Sequence, residues 1–267
     1  MTGGETPPKP SPADERWRAM LTNPSPFRVL RRIHRRIPSA PRCKSCAAPF
    51  AGPGGLFMPL LGHARWAKNP KYCTGCFRML RANHGGAEIE CSLLFADVRG
   101  STAMAERLPP KEFNRRMGRF YDTATAVLVE HDAYVDKFVG DEIIGIFVPA
   151  MATQAHAERA IGAARELLKQ TGHGDAGGPW VPVGVGVNTG IAYVGSIGEG
   201  HDTELTAMGD AVNTTARLAS VANAGEVLVT VSAATAAALP TEALEHRSLQ
   251  LKGKSEATAV FVLGVAS

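Results

Sequence analysis

From residue 88 onward, the apolar positions switch between short continuous runs and helical spacing. Residues 90–97 are nearly all apolar after Glu90 and end at Asp97, the mark of a strand covered on both faces. Phe113, Met117, Phe120, Tyr121, Ala124 and Leu128 recur every three or four positions and predict a helix over about 110–131. Residues 133–148 read as two apolar strands split by Gly140-Asp141, a tight-hairpin signal. Ala157, Ile161, Ala164 and Leu168 predict a helix over about 152–170. Residues 180–188 and 191–197 read as two strands joined near Thr189-Gly190, and 198–207 as a polar arm. A helix capped by Asp210 is predicted to run to about 222, with strands at 227–231, 244–251 and 258–263. The fold class is therefore α+β, a mixed sheet layered with helices.

The first part of the chain has a different pattern. Pro, Gly, Thr and Ser crowd residues 1–14, and an unstructured tail is expected as far as residue 25. A helix is predicted over 26–37, with Phe27, Leu30, Ile33 and flanking Val29 and Ile37 on one side. Arg28, Arg31, Arg32, Arg35 and Arg36 fall mostly around the other. Such a basic face suits a regulatory partner or an anionic surface. Charge divides the same way. Residues 1–90 carry fifteen Lys and Arg against five Asp and Glu, and residues 91–267 carry fourteen against twenty. That asymmetry predicts two units with different partners, a small module over 26–85 and a larger domain over 88–267.

Two CxxC pairs, Cys43/Cys46 and Cys73/Cys76, lie in the small module. Four thiolates in two knuckles match the closed tetrahedral set of a structural zinc, so one Zn²⁺ per chain is expected. His63 lies between the knuckles, but four cysteines already complete a site. A unit this small has a thin core and needs such a staple. Cys91 sits in an apolar strand and reads as a buried core thiol. No apolar run reaches the roughly 20 residues of a membrane span, and no signal-peptide core is present, so a cytoplasmic protein is expected.

The candidate chemistry begins with Asp97 and Asp141, each at the end of an apolar strand. The hairpin could bring Asp141 to Asp97, and two neighbouring carboxylates repel unless a cation lies between them. Hard divalent ions take oxygen ligands and are often held by one or two carboxylates plus substrate phosphates. Asn213 and Arg217 lie four apart on one helical face.

Five segments, in order, resemble motifs of the class III nucleotidyl cyclases. They are Phe95-Ala-Asp-Val-Arg-Gly-Ser-Thr102, Lys137-Phe-Val-Gly-Asp141, Val185-Gly-Val-Asn-Thr-Gly190, Thr206-Ala-Met-Gly-Asp-Ala-Val-Asn213 running on to Arg217, and Leu251-Lys252-Gly253. The resemblance spans about 91–264 and implies the family's ferredoxin-like core. It implies attack of a ribose 3′-oxygen on the α-phosphorus of a nucleoside triphosphate, with loss of pyrophosphate. By the same resemblance Asp97, Asp141 and the Val98 carbonyl hold two Mg²⁺ or Mn²⁺ ions, one lowering the 3′-hydroxyl pKa and one binding phosphates. Arg217 stabilises developing phosphate charge, Asn213 orients the ribose, and Lys252 meets the terminal phosphates, with Lys254 a competitor.

Lys137 and Thr206 fall at the base-reading positions. A lysine is donor-only and suits adenine N1, and a hydroxyl can accept from the adenine amino group, so the pair favours ATP. Glu142 stands where many relatives carry a small residue. The resemblance also implies head-to-tail homodimers with shared sites, Asp97 and Asp141 from one chain and Lys137, Thr206, Asn213, Arg217 and Lys252 from the other. The expected function is an adenylate cyclase. A guanylate cyclase and a degenerate nucleotide-sensing module are the alternatives, and a nucleic-acid role for the basic module lacks interleaved stacking aromatics.

Overall fold

In the computed structural model, residues 11–23, 26–37, 41–67, 72–198 and 204–265 are described. The chain runs α1 (Pro12–Thr22), α2 (Pro26–Arg35), α3 (Gly52–Phe57) with a 3₁₀ turn at Met58–Leu61, α4 (Thr74–Ala82), β1 (Gly85–Val98), α5 (Ser101–Arg107) and α6 (Pro110–Glu130). There follow β2 (Tyr134–Val139), β3 (Glu142–Phe147), α7 (Pro149–Ala152), α8 (His156–Gln170), β4 (Val183–Ile197), β5 (Glu204–Met208) and α9 (Asp210–Val221). The last elements are β6 (Val227–Thr230), α10 (Val231–Ala236), β7 (Glu245–Leu249) and β8 (Thr258–Leu263).

One sheet has the order β2-β3-β1-β4-β6-β8-β7, with β5 paired to β4. Strands β1 and β4 form a long antiparallel pair at its centre, from Gly85↔Ser196 to Val98↔Val183. The period-two alternation of β1 divides the core. Leu94, Ala96 and Val98 pack with Met117, Phe120, Ala124 and Leu128 of α6 and with α8. Cys91, Leu93 and Phe95 face the other way, toward Tyr134, Trp17, Tyr72, Phe77 and the α9 residues Ala211 and Ala219. Helix α9 sits directly on β4. A Cβ at Gly186 would lie 2.7 Å from both the Ala219 nitrogen and the Thr215 carbonyl oxygen, so only glycine permits this approach.

Four expectations need correction. Residues 183–197 are one continuous strand, because Thr189 and Gly190 keep extended pairing with Ser92 and Cys91 instead of turning. Asp210 does not cap α9: the N-cap is Gly209, and Asp210 is the first helical residue.

The stretch expected as tail contains α1, built on a Ser11/Asp14 capping box and anchored by buried Trp17 and Leu21 one turn apart. Trp17 Nε1 also donates to the His84 carbonyl at 3.3 Å. Residues 1–10 of that expected tail lie outside the described residues.

The predicted apolar side of helix α2 keeps Leu30 and Ile37 against the core but turns partly outward. Val29 and Ile33 are exposed, while Arg31 and His34 are buried. Arg31 donates to the carbonyls of Lys44, Ser45 and Ala133, and Arg35 to the Val129 carbonyl and Asp132. Carbonyl acceptors in neighbouring turns outweigh the apolar stripe, because charge-assisted bonds satisfy them, those of Ser45 and Ala133 in buried surroundings. Phe27 lies outside the described side chains.

Candidate active site

The two carboxylates meet. Asp97 is the penultimate residue of β1, and Asp141 lies in the β2–β3 turn beside Gly140, whose φ of +61° is left-handed. Val98 N donates to the Asp141 carbonyl at 3.2 Å, closing the turn onto β1. Tyr121 of α6 donates to the Gly140 carbonyl and steadies the tip. Arg99 pairs with Asp97, and Ser101 Oγ donates to Asp141. Glu142, opposite Asp97 across β1 and β3, adds a third, partly buried carboxyl. Burial raises the Asp97 carboxyl above its usual range, with Asp141 adding to the rise and Arg99 opposing it. Burial first, then Asp97 and Asp141, push Glu142 up to about 7. A carboxylate cluster of this kind suits hard divalent cations, so the donor set fits the ions expected here.

Arg217 reaches a second predicted element. A Cβ at Gly253 would lie 3.3 Å from Arg217 Nη2, so the guanidinium covers the Lys252-Gly253 turn. Asn213 is exposed on the same helix, one turn earlier, and Lys252 is exposed beside the turn. Lys254, the competitor for the phosphate role, pairs with Asp210. Arg99 Nη1 donates to the Ser220 carbonyl at 2.7 Å, tying the end of α9 to the carboxylate end of β1.

The base-reading candidates form a third group. Strand β2 bulges between Val135 and Phe138, placing Asp136 and Lys137 opposite a single step of β3. Bulges re-aim side chains, and here the strict alternation of faces breaks. Asp136 Oδ2 accepts from Thr206 Oγ1 at 2.6 Å and lies 3.7 Å from Lys137 Nζ. Lys137 and Thr206, 69 positions apart in the chain, are thus joined through Asp136, a residue sequence reasoning missed. Simple alternation would send Asp136 to the opposite face from Lys137; only the bulge prevents it. Burial raises the Asp136 carboxyl, while Thr206, Lys137 and Lys44 oppose the rise.

The cysteines meet as well. The Sγ atoms of Cys43, Cys46, Cys73 and Cys76 all lie within 4.8 Å of one another, and Cys46 and Cys73 are 3.7 Å apart. Four thiolates 2.3 Å from a tetrahedral zinc would be about 3.8 Å apart, so the set fits the ion. The Cys73 amide donates to Cys43 Sγ at 3.3 Å, and hydrogen bonds from Cys43, Cys46 and Cys76 pull the Cys73 thiol well down. His63 Nδ1 lies 3.3 Å from Cys73 Sγ, alongside the set. Cys91 is separate and buried, and burial pushes its thiol up to about 12.

Residues next to these cysteines touch β2 and β5, the strands that carry Lys137 and Thr206. Lys44 donates to the Asp136 carbonyl. Tyr72 Oη bonds Tyr134 Oη and accepts from the Leu205 amide at 3.3 Å, one residue before Thr206.

The chain belongs to the family described as the adenylate and guanylate cyclase catalytic domain, whose model matches residues 87–264. An adenylate cyclase of Anabaena cylindrica is 27% identical over 179 residues, 64% of this chain and 36% of that protein. The solved structure of the guanylyl cyclase Cya2 superposes with a TM-score of 0.61 at 28% identity, covering 68% of this chain and 95% of that one. The adenylyl cyclase CyaB from P. aeruginosa shares the fold, with a TM-score of 0.58 at 22% identity over 67% of this chain and 95% of that one. The mixed α+β architecture is that of class III cyclases, a family that uses divalent metal ions. The chain spans about a third of the Anabaena relative's length. Among the described residues no helix is long and apolar enough to cross a membrane.

Proposed function

We propose that this protein is an adenylate cyclase that converts ATP to 3′,5′-cyclic AMP and pyrophosphate. The observation that carries the proposal is the meeting of Asp97 and Asp141 at the mouth of the β2–β3 hairpin, inside the family match. Asp97, Asp141 and the Val98 carbonyl would hold two Mg²⁺ or Mn²⁺ ions. Bound there, the ions supply Lewis-acid activation of the 3′-hydroxyl and charge neutralisation of the phosphates.

The protein's own groups do the rest. Arg217, held over the Lys252 turn, places a fixed positive charge where negative charge grows on the transferred phosphorus. Asn213, on the same face, orients the ribose, and Lys252 meets the terminal phosphates. Lys137 and Thr206 read the base. These residues fall to the partner subunit's half of each site in a head-to-tail homodimer, which gives two sites per dimer. The four-cysteine centre holds one structural Zn²⁺. Reduced thiols of this kind fit a reducing compartment, the cytoplasm.

The test is product analysis with purified protein, ATP or GTP, and Mg²⁺ or Mn²⁺. Cyclic AMP from ATP is expected, and Asp97→Ala or Asp141→Ala should abolish it in a folded protein. Absence of cyclic nucleotide from a folded dimer with either metal would overturn the reading.

A further inference from the structure

We infer that Asp136 is a further specificity-determining residue of the nucleotide site, beside Lys137 and Thr206, its carboxylate accepting a hydrogen bond from the 6-amino group of adenine. The inference rests on the cyclase reading and deepens it by naming the substrate class and the residue that selects it.

Three observations carry it. Asp136 is 3% exposed, and its Oδ1 has no hydrogen-bond partner among the described residues. A buried carboxylate oxygen left open is costly, and a ligand donor is one way to satisfy it. Its other oxygen accepts the single hydroxyl proton of Thr206, at 2.6 Å. The Thr206 hydroxyl is thereby turned toward Asp136, and the stronger acceptor at this position is the carboxylate behind it. Finally, Lys137 Nζ stands 3.7 Å from the same carboxylate.

An acceptor beside a donor is the complement of the adenine edge, where the 6-amino group donates and N1 accepts. Guanine in the same orientation would set its O6 against the carboxylate and its N1–H against the ammonium. Both contacts are repulsive. A site built on buried hydrogen-bonding groups rejects a ligand that leaves them unpaired.

The β2 bulge makes the arrangement possible, because it keeps Asp136 on the side of Thr206 and Lys137. Lys44 pins that bulge from the N-terminal module by donating to the Asp136 carbonyl.

The test compares ATP with purine riboside triphosphate, which is ATP without its 6-amino group, and with GTP. Wild type, Asp136→Ala and Asp136→Asn are assayed as full-length chains. Wild type should favour ATP over the deaminated analogue by about tenfold or more in kcat/KM. Asp136→Ala should bring that ratio close to one, chiefly through a higher KM for ATP, with kcat largely retained. Asp136→Asn keeps an acceptor oxygen and the shape, so it should retain part of the ratio; it also serves if the alanine variant fails to fold. The ratio compares two substrates on one protein, so a loss of stability alone leaves it unmoved. An unchanged ratio in a folded variant would overturn the inference. So would a wild-type preference for GTP that Asp136→Ala removes, since the carboxylate would then read guanine N1–H. If no triphosphate is cyclised, the cyclase reading fails separately. Calorimetric binding of 3′-deoxy-ATP and its analogue lacking the 6-amino group then decides the point, and equal affinity of the two overturns it.

Discussion

Arg31, fully buried on α2, donates a hydrogen bond to the backbone carbonyl of Ala133 at the root of the β2 strand. The same guanidinium reaches the carbonyls of Lys44 at 3.2 Å and Ser45 at 2.8 Å. One side chain therefore joins an N-terminal helix, the first cysteine knuckle and the strand that carries Asp136 and Lys137. Burial pushes the guanidinium down to about 10, opposed by the nearby charge of Asp132, and it stays charged at neutral pH.

Arg31→Met is expected to destabilise the protein by about 3 kcal/mol, because three carbonyls, two of them in buried bonds, lose their donor together. Arg31→Lys should recover only part of this, since an ammonium lacks the planar fork. Chemical denaturation checks both. A loss below about 0.5 kcal/mol for the methionine variant would mean that water replaces the guanidinium at little cost.

Much of the cyclase core was legible in the sequence, because its signals are local. The period-3.6 face of α6 and the Gly140-Asp141 turn fix their elements without long-range information. The orientation of α2 was not legible. Its apolar stripe is short, and the acceptors that turn its arginines inward lie near residue 44, in the first cysteine knuckle, and at 129 and 133, far along the chain. Asp136 was hidden for a related reason. A one-residue bulge shifts every later side chain to the other face, and nothing in Tyr134-Val-Asp-Lys-Phe-Val announces it. Helix α1 was lost because two anchors, Trp17 and Leu21, make a weak periodic signal beside a Pro-rich start.

The cysteine centre should behave as a fold element. Native mass spectrometry is expected to find one zinc per chain, and Cys73→Ser should lose it. Strong chelation should lower the melting temperature by several degrees, because metal binding to such a site is folding free energy. Tyr72 and Lys44 flank the knuckles and touch the strands of Thr206 and Asp136, so chelation should also raise the KM for ATP. Zinc-free protein with unchanged melting temperature and KM would show that the thiols hold the module without an ion.

A pH prediction follows from Glu226 and Arg247, which form two parallel hydrogen bonds of 2.8 and 3.0 Å. These bonds hold the Glu226 carboxyl below its usual 4.5 in the folded state. The unfolded chain thus binds its proton at higher pH than the folded one. The stabilisation is fully present above about 4.5 and is lost as pH falls through the lower, folded value. Arg247→Met should cost about 1 kcal/mol at pH 7, and the difference from wild type should shrink below pH 4. Raised carboxyls such as Asp97 act in the opposite sense, but they are common to both proteins and cancel in the difference. Melting curves across pH 3–8 check this, and a pH-independent difference would count against the ion pair.

The last prediction concerns the division of the site between chains. Asp97 and Asp141 meet within one chain, and Arg217 meets the Lys252 turn, while Lys137 and Thr206 are joined through Asp136. If each active site takes its carboxylates from one subunit and its Lys137, Thr206, Asn213, Arg217 and Lys252 from the other, two defects can be made to share a site. Asp97→Ala homodimers lack the metal ligand in both sites, and Arg217→Ala homodimers lack the guanidinium in both. Each should be nearly inactive. In a mixed dimer of head-to-tail geometry, one site collects both defects and the other collects neither. Random equal mixing makes about half the dimers mixed, each with one good site of two, so coexpression should restore roughly a quarter of wild-type activity. Recovery of that size, absent when the two proteins are combined without subunit exchange, supports the shared site. No recovery from dimers shown to be mixed would place all of these residues in a site built within a single chain.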